Sequence, residues 1–265
     1  MYQAIDIHGH LGTPSNFPQT GLEKEFLNLS LEALHRQYQC QNVTAACLSP
    51  MEALFPCCEQ ALLDANSHME ELSLTHSWLY QWVVVDPLCP ASFQQAQRIL
   101  KSPKCVGVKL HPDANGYAIR DYGDELFSFC RDQRAVLETH SGDPNSMPED
   151  FLPLADRFPE VTVILSHVGC GYDGDITHQV RAVQAARHRN LYTDLSSGKS
   201  LLNHLVEWAA AELPPDRLLF GTDTPIHHVP MMKQRVEWAD LTAAQKERIF
   251  YRNAFELLGH KLRLS

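Results

Sequence analysis

Eight short apolar runs, separated by segments with helical periodicity, constrain the fold of this chain more than any other feature of its sequence. Strands that alternate with helices form a parallel sheet, and eight such units in about 250 residues match a (β/α)₈ barrel. We therefore predict a single α/β domain, a (β/α)₈ TIM barrel, over residues 1–265. A doubly wound open sheet is the competing architecture, but it usually has fewer strands, and no glycine-rich phosphate turn follows the first strand. The predicted strands cover residues 5–7, 43–48, 79–85, 105–110, 135–139, 161–166, 191–195 and 217–221.

Local signals place several helix ends. Ser30 is suited to cap a helix that begins there, and Pro148 stands where a first-turn proline belongs. Thr242 and Gln245 have the spacing of a capping box, and Gly259 is expected to end the final helix.

The first predicted strand ends in two histidines separated by a glycine. Residues two apart in a strand point to the same side, so His8 and His10 would project together, with Gly9 leaving room between them. Two converging neutral imidazoles suit a borderline cation such as zinc. The alternative is that two of the fourteen histidines lie close together in a loop by chance. Residues 11–29 are predicted to form a long loop that could fold over a site.

Polar residues that can bind a ligand stand at the same end of four further strands. Barrel enzymes carry their reactive groups at the carboxyl ends of the strands. Each histidine alone could be a buried structural residue, but the shared position of all of them is hard to explain by packing. A buried aspartate directly after a strand needs a partner, and a cation can serve. These strand ends read Lys109-Leu110-His111-Pro112, Glu138-Thr139-His140-Ser141-Gly142, Ser166-His167-Val168-Gly169 and Gly221-Thr222-Asp223-Thr224-Pro225.

Composition excludes several classes of protein. The net charge of −10 argues against nonspecific binding to nucleic acid or to an anionic membrane. The sequence contains no run of eighteen uncharged apolar residues, so no membrane span is predicted. The N-terminus lacks the pattern of a secretion signal. The eight cysteines contain no CxxC pair, so we expect reduced thiols in a cytoplasmic protein.

The ordered set of motifs resembles the amidohydrolase superfamily. Its pattern is HxH after the first strand, histidines after the fifth and sixth strands, and an aspartate after the eighth. The phrases Val-Lys-Leu-His-Pro, Glu-Thr-His-Ser-Gly, Leu-Ser-His-Val-Gly and Phe-Gly-Thr-Asp-Thr-Pro most resemble the second amidohydrolase family, the branch similar to aminocarboxymuconate-semialdehyde decarboxylase. The similarity spans nearly the whole chain.

The resemblance implies a metal site at the mouth of the barrel. His8, His10, His140 and Asp223 would bind a divalent ion, most often zinc, and Asp223 would also transfer a proton from water to the leaving group. His167 would lie beside the ion, where it polarises the substrate or binds a second ion.

Lys109 keeps three roles open. In two-metal relatives, a lysine at the end of the fourth strand is carboxylated and bridges the ions, and Lys109 has that position. Binding of a substrate carboxylate and a structural salt bridge are the other two roles. His111 shares a face with Lys109 by its two-residue spacing and is expected to line the same cavity.

Candidates for substrate binding come from the loops after the fourth and eighth strands. Tyr117 and Arg120 follow the fourth strand, and the Arg120 guanidinium could pair with a carboxylate, although a solvated surface arginine is the alternative. His227 follows the eighth strand and could contact the substrate, add a metal ligand or face water.

These observations predict a cytoplasmic, metal-dependent hydrolase that acts on an ester, lactone or amide of a small organic molecule. The runner-up is a nonoxidative decarboxylase of a small unsaturated or aromatic acid that uses the same ligands. A barrel that binds a metal or sugar without catalysis is a third hypothesis, against which the complete ligand set counts. The resemblance also implies a homodimer.

Overall fold

The structure is a computed structural model that describes residues 1–14 and 27–262. Eight parallel strands form one sheet in the order β1 to β8, and helical segments alternate with them, so the predicted (β/α)₈ barrel is confirmed. Most of the predicted loop at residues 11–29 lies outside the described residues. The strands are β1 (Ala4–Leu11), β2 (Val43–Pro50), β3 (Leu79–Val84), β4 (Cys105–Leu110), β5 (Val136–Thr139), β6 (Val163–Leu165), β7 (Leu191–Asp194) and β8 (Leu218–Leu219).

Helices cover the outside of the sheet and also form part of the loops at its carboxyl end. The α-helices are α1 (Leu31–Cys40), α2 (Met51–Leu54), α3 (Glu59–Thr75), α4 (Pro90–Ile99), α5 (Pro112–Asn115), α6 (Ile119–Gln133), α7 (Leu152–Arg157), α8 (His178–Ala185), α9 (Leu205–Glu212), α10 (Val229–Glu237), α11 (Ala243–Glu247) and α12 (Asn253–Leu258). Short 3₁₀ turns occupy Pro148–Phe151 and Gly198–Leu201, and a π-helical turn occupies Arg248–Arg252.

The predicted helix signals have mixed outcomes. Ser30 caps α1 by accepting a hydrogen bond from the Ala33 amide at 3.2 Å, and Thr242 forms the predicted capping box with Gln245. Pro148 opens a 3₁₀ turn ahead of α7 instead of opening the α-helix itself. Helix α10 was not predicted, because the prolines around its start read as a loop.

Two apolar layers hold the barrel together. The inner cluster gathers strand side chains that include Ile5, Ile7 and Trp82, and residues of the last helix pack against them. The outer cluster joins the other face of the strands to the surrounding helices, where Leu34 and Tyr38 of α1 are buried. Because both faces of the sheet are covered, the polar groups of the strands collect at the carboxyl ends.

A bulge in β1 sets the direction of its histidines. Asp6 pairs with Ala46 and Gly9 pairs with Leu48, so three residue steps on β1 match two steps on β2. Such an extra residue re-aims the side chains that follow it. Ile7 packs in the inner cluster, and His8 also faces the inside of the barrel, at its mouth.

The helix that follows the β8 loop is fixed by a charged contact. Arg235 of α10 donates two hydrogen bonds to the Glu207 carboxylate of α9, at 3.2 and 2.6 Å, and the Asp240 amide donates a third. These bonds, above all those from Arg235, lower the pKa of Glu207 from 4.5 to about 2 against the effect of burial. The carboxylate therefore stabilises the fold fully above pH 4.5, and this contribution is lost as the pH falls toward 2.

Glu207→Gln is accordingly expected to lower the free energy of unfolding at pH 7 by about 1–3 kcal/mol. The difference from wild type should shrink between pH 4.5 and 2, where the wild-type carboxylate takes up its proton. Urea unfolding at pH 7 and pH 3 measures both values, and an equal difference at the two pH values would contradict the assignment.

Candidate active site

The end of β1 and the turn after β8 bring three potential metal ligands together. Asp223 Oδ1 lies 3.0 Å from His10 Nε2 and 3.5 Å from His8 Nε2. Donor atoms that bind one ion at about 2.1 Å stand roughly 3–3.4 Å apart, so this spacing fits a shared cation. Gly9 allows the approach, because a Cβ at that position would lie 2.9 Å from Thr224 Cγ2 and 2.8 Å from Leu48 Cδ2.

Hydrogen bonds fix the orientation of both imidazoles. His8 Nδ1 lies 2.8 Å from Glu138 Oε1 and 3.0 Å from Asp194 Oδ2. Ionised carboxylates only accept hydrogen bonds, so Nδ1 is the donor and Nε2 is directed toward Asp223. His10 Nδ1 lies 2.8 Å from Ser49 Oγ. Metal-binding histidines usually have such a partner on the second ring nitrogen, which orients the ring.

The charges that contact His8 do not balance. Glu138, Asp194 and Asp223 each place a carboxylate oxygen within 3.5 Å of a His8 ring nitrogen. The ammonium of Lys109, 3.1 Å from Nε2, is opposed to these three negative groups. Buried charge is costly unless it is paired. The site therefore offers two nitrogen donors and one oxygen donor within a surplus of two negative charges. This combination fits a divalent cation bound by His8, His10 and Asp223.

The carboxylates also change the proton affinities of their neighbours. Burial lowers the pKa of His8, but Glu138 and Asp194 outweigh it and raise the value to about 10. His8 Nε2 and Lys109 Nζ lie 3.1 Å apart, so one nitrogen donates the hydrogen bond and the other must accept it. The two side chains therefore share a single positive charge. Burial raises the pKa of Asp223, but the hydrogen bond from His10 and the nearby histidines bring it below the ordinary value, which keeps this carboxylate ionised.

Lys109 is completely buried and is paired with Glu138. Its Nζ lies 2.7 Å from Glu138 Oε1, which also accepts a hydrogen bond from Ser166 Oγ at 2.9 Å. Burial raises the pKa of Glu138, but His8 and Lys109 hold it far below its usual range. The second oxygen, Oε2, is buried and has no hydrogen-bond partner among the described residues. The structure therefore presents Lys109 as one member of an ion pair at the cavity floor.

His167 is held from behind by Asp194 and Ser196. Its backbone lies in the left-handed region, with φ of 74°, and its amide donates to Asp194 Oδ1 at 3.0 Å. The Ser196 hydroxyl donates to the same carboxylate, so Ser196 Oγ accepts from His167 Nδ1 at 2.8 Å. Burial holds the pKa of His167 well below its usual value. The ring is therefore neutral, with its proton on Nδ1 and an acceptor lone pair on Nε2.

His140 and His111 form one wall of the site. Their rings are stacked with centroids 4.1 Å apart and an angle of 6° between the planes. His140 Nε2 lies 2.8 Å from Asp143 Oδ2, and His111 Nδ1 accepts a hydrogen bond from the Ala114 amide at 3.2 Å. His140 thus lines the cavity with His8, His10 and Asp223, but it is outside the close group that those three form.

The cavity between these groups has a volume of about 80 Å³. Its polar side carries the residues described above, and its apolar side is formed by Met51, Leu54, Phe55 and Ile226. A site of this kind suits a small molecule with one polar end and one apolar side.

The predicted substrate-binding residues fall into two groups. His111 lines the cavity, whereas His227 lines an adjoining one, with its Nε2 3.9 Å from Asp223 Oδ2. Arg120 and Tyr117 are not among the residues that line the cavity. Arg120 is 65% exposed and pairs with Asp150 at 2.9 Å, as the surface alternative predicted. Tyr117 is buried in the outer layer beside Tyr122.

Sequence reasoning missed three groups that orient the site. Glu138 stands two positions before His140 on the same strand, so strand alternation could have identified it. Asp194 is the last residue of β7 and Ser196 follows it, so both stand at a strand end like the predicted site residues, yet the end of that strand was not considered. No helix in the described ranges combines the length and apolar character needed to cross a membrane.

Comparisons with solved structures agree with the fold. A 5-carboxyvanillate decarboxylase from Sphingomonas paucimobilis is 14% identical, with a TM-score of 0.76 over 98% of this chain and 99% of its own. A 2,6-dihydroxybenzoate decarboxylase from Rhizobium is 13% identical, with a TM-score of 0.79 over the same shares. A dihydroxybenzoic acid decarboxylase from Polaromonas sp. JS666, solved with manganese and 2-nitroresorcinol, is 14% identical, with a TM-score of 0.76 over 98% and 97%.

Sequence comparison agrees with the motif resemblance. No curated protein sequence matches this chain. The sequence model of a family described as Amidohydrolase matches residues 5–260, which is nearly the whole chain. On that match, the chain belongs to the second amidohydrolase family.

Proposed function

We propose that this chain is a metal-dependent hydrolase that cleaves an ester, lactone or amide of a small organic substrate. The convergence of His8, His10 and Asp223 on one point of a cavity, within a surplus of buried negative charge, supports this proposal most directly. The cavity volume and its apolar side favour a small molecule over a polymer. The negative net charge and the eight free cysteines support a cytoplasmic enzyme that does not act on nucleic acid.

His8, His10 and Asp223 would hold one divalent ion, and zinc suits this set of nitrogen and oxygen donors. Bound there, the ion would act as a Lewis acid and make a water molecule more acidic. Asp223, ionised and open to the cavity, is placed to accept the proton from that water and to pass it to the leaving group. His167 also lines the cavity, and its Nε2 is a second proton acceptor, with the ring held in place by Ser196 and Asp194. A neutral His167 with this tautomer fits proton transfer or ion binding better than donation to a carbonyl oxygen.

The ion pair of Lys109 with Glu138 favours one ion over two. A carboxylated Lys109 would be an anion, and the nitrogen that carries the added group lies 2.7 Å from a carboxylate oxygen. We therefore expect one ion per chain after preparation with bicarbonate, and no added CO₂ in the mass of the intact folded chain. Elemental analysis with native mass spectrometry measures both. Two ions together with the added mass would show that the lysine bridges them.

Lys109→Met is expected to lower the free energy of unfolding by about 3–5 kcal/mol, because it leaves Glu138 buried without its counter-ion. The double variant Lys109→Met/Glu138→Gln removes both charges and should recover most of this loss. Denaturant unfolding of the wild type, both single variants and the double variant gives the coupling energy. A double variant no more stable than Lys109→Met would contradict the ion-pair role.

Decarboxylation of a small unsaturated or aromatic acid is the second candidate. This candidate is supported by the stacked rings of His111 and His140, against which a planar substrate ring could pack. The ring centroid of Phe55 lies 5.5 Å from that of His111 and extends this part of the site. The similarity of the whole chain to three decarboxylase structures adds to this support.

A screen of the zinc- and manganese-loaded protein separates the two reactions. Lactones, esters and amides are followed by acid release, and aromatic acids by CO₂ release, each with metal-free protein as the control. Acid release alone would support the hydrolase, and CO₂ release alone would replace it by the decarboxylase. The homodimer implied by the family resemblance is tested by light scattering of the same preparation.

A further inference from the structure

The inward direction of His8 departs from regular strand alternation. Ile5 and Ile7 pack in the inner cluster, so an undisturbed strand would turn Asp6 and His8 outward. The bulge between Asp6 and Gly9 lets Ile7 and His8 both face inward. The position of the first proposed metal ligand therefore depends on what stabilises this bulge.

Asp6 contacts both sides of the bulge and the segment that carries Asp223. Its Oδ1 accepts hydrogen bonds from the His8 amide at 3.2 Å and from the Thr222 amide at 3.0 Å. Its Oδ2 accepts from Thr222 Oγ1 at 2.6 Å and from the Tyr38 hydroxyl at 2.9 Å. The carboxylate is completely buried, and the four donors come from β1, α1 and the β8 turn.

The barrel needs a contact of this kind where it closes. The β7–β8 ladder has only two residue pairs, and β1 meets the β8 turn through the single bridge Gly9–Thr224 and a few backbone hydrogen bonds. Asp223 itself has a φ of 57°, a left-handed conformation that a non-glycine residue keeps only when its surroundings hold it. The amides of Thr222 and Asp223 are bound by the His8 carbonyl, at 3.0 and 2.8 Å.

We propose that Asp6 is a positioning residue that holds the β1 bulge against the β8 turn and thereby sets the spacing of His8, His10 and Asp223 for the ion. This inference rests on the proposed metal site. A residue that only filled the core would be apolar, because an unpaired buried carboxylate is costly. Here the four donors offset that cost, and two of them are backbone amides of the ligand-bearing segments.

Co²⁺ binding tests the inference without an activity assay. Asp6→Ala removes all four hydrogen bonds and is expected to weaken Co²⁺ binding by about 10–100-fold, the usual range for residues that orient metal ligands. The visible absorption spectrum of bound Co²⁺ should change with it, because the ligand geometry changes. Asp6→Asn keeps one oxygen for the two amides, and its NH₂ group can donate to the Thr222 and Tyr38 hydroxyls, so it should bind Co²⁺ within about threefold of wild type.

Asn190→Ala is the matched control. Asn190 is buried and donates to three backbone carbonyls, those of Ala155, Phe158 and Val161, outside the residues that line the cavity. It should lower the unfolding temperature and leave the Co²⁺ affinity and spectrum unchanged. If Asp6→Ala does not fold, Thr222→Val is tested in its place. This variant removes the 2.6 Å hydrogen bond from Thr222 Oγ1 to Asp6 Oδ2 and should weaken Co²⁺ binding several-fold.

Wild-type affinity and spectrum in Asp6→Ala, or in Thr222→Val where that variant replaces it, would overturn the inference. An equal loss in Asn190→Ala would overturn it too, because the effect would then follow stability alone. Failure of the wild-type protein to bind Co²⁺ would overturn the proposed metal site as well, so the two failures are distinguishable.

Discussion

Asp223→Asn is expected to reduce kcat by about 10²–10⁴-fold, the range for loss of a general acid–base group. An amide cannot accept the proton from water at neutral pH, whereas the ionised Asp223 can. The amide oxygen still allows coordination, and His8 and His10 are untouched, so most of the metal should remain bound. Elemental analysis and steady-state kinetics on the same preparation measure both quantities.

Asp143→Asn provides the control for that experiment. Asp143 is a second carboxylate near the site, but it contacts His140 rather than the three converging donors. We expect a much smaller change in kcat than for Asp223→Asn. If Asp223→Asn kept wild-type turnover, or if both variants lost it equally, the proton-transfer role of Asp223 would be wrong.

The double variant His8→Ala/His10→Ala is expected to lose the metal and the activity together. It removes two of the three converging donors, and a single carboxylate binds a divalent ion only weakly in water. Metal content should fall to about a tenth of the wild-type value or less, because each ligand contributes to the binding free energy. Treatment of the wild-type protein with a chelator should cause the same loss of activity, reversible on adding Zn²⁺.

The exposed histidine His188 offers a matched control, since His188→Ala should keep both metal and activity. Retained activity after complete metal removal would exclude metal-dependent chemistry. Retained metal in the double variant would show that the ion binds elsewhere, for example at Asp113, His140 and Asp143, a group of potential ligands that contains neither His8 nor His10.

The periodicity of the chain was enough to predict the barrel. It was also enough to predict that five strand ends with polar residues meet at one mouth of that barrel. Apolar runs such as Val163–Leu165 can be recognised in the sequence because burial on both faces of the sheet disfavours polar residues. The carboxyl ends of parallel strands lie at the same end of a barrel. The sequence alone therefore predicted a shared cavity for His8, His10, Lys109, His167 and Asp223, and all five line it. The segment after β4 was interpreted as a loop, although Arg120 lies in α6, and this is why Arg120 and Tyr117 were expected to line a cavity that neither of them lines.

Only the folded chain shows which of these groups touch. Strand alternation correctly put His8 and His10 on one side, but the inner packing of Ile5 and Ile7 would have turned that side outward without the bulge. The partners that orient the histidines, Glu138, Asp194 and Ser49, are separated from them by between 39 and 186 residues. Hydrogen bonds depend on distances of a few tenths of an ångström, and long-range packing fixes those distances. A sequence pattern specifies the face of a strand on which a side chain lies, whereas the register between strands decides which atoms meet.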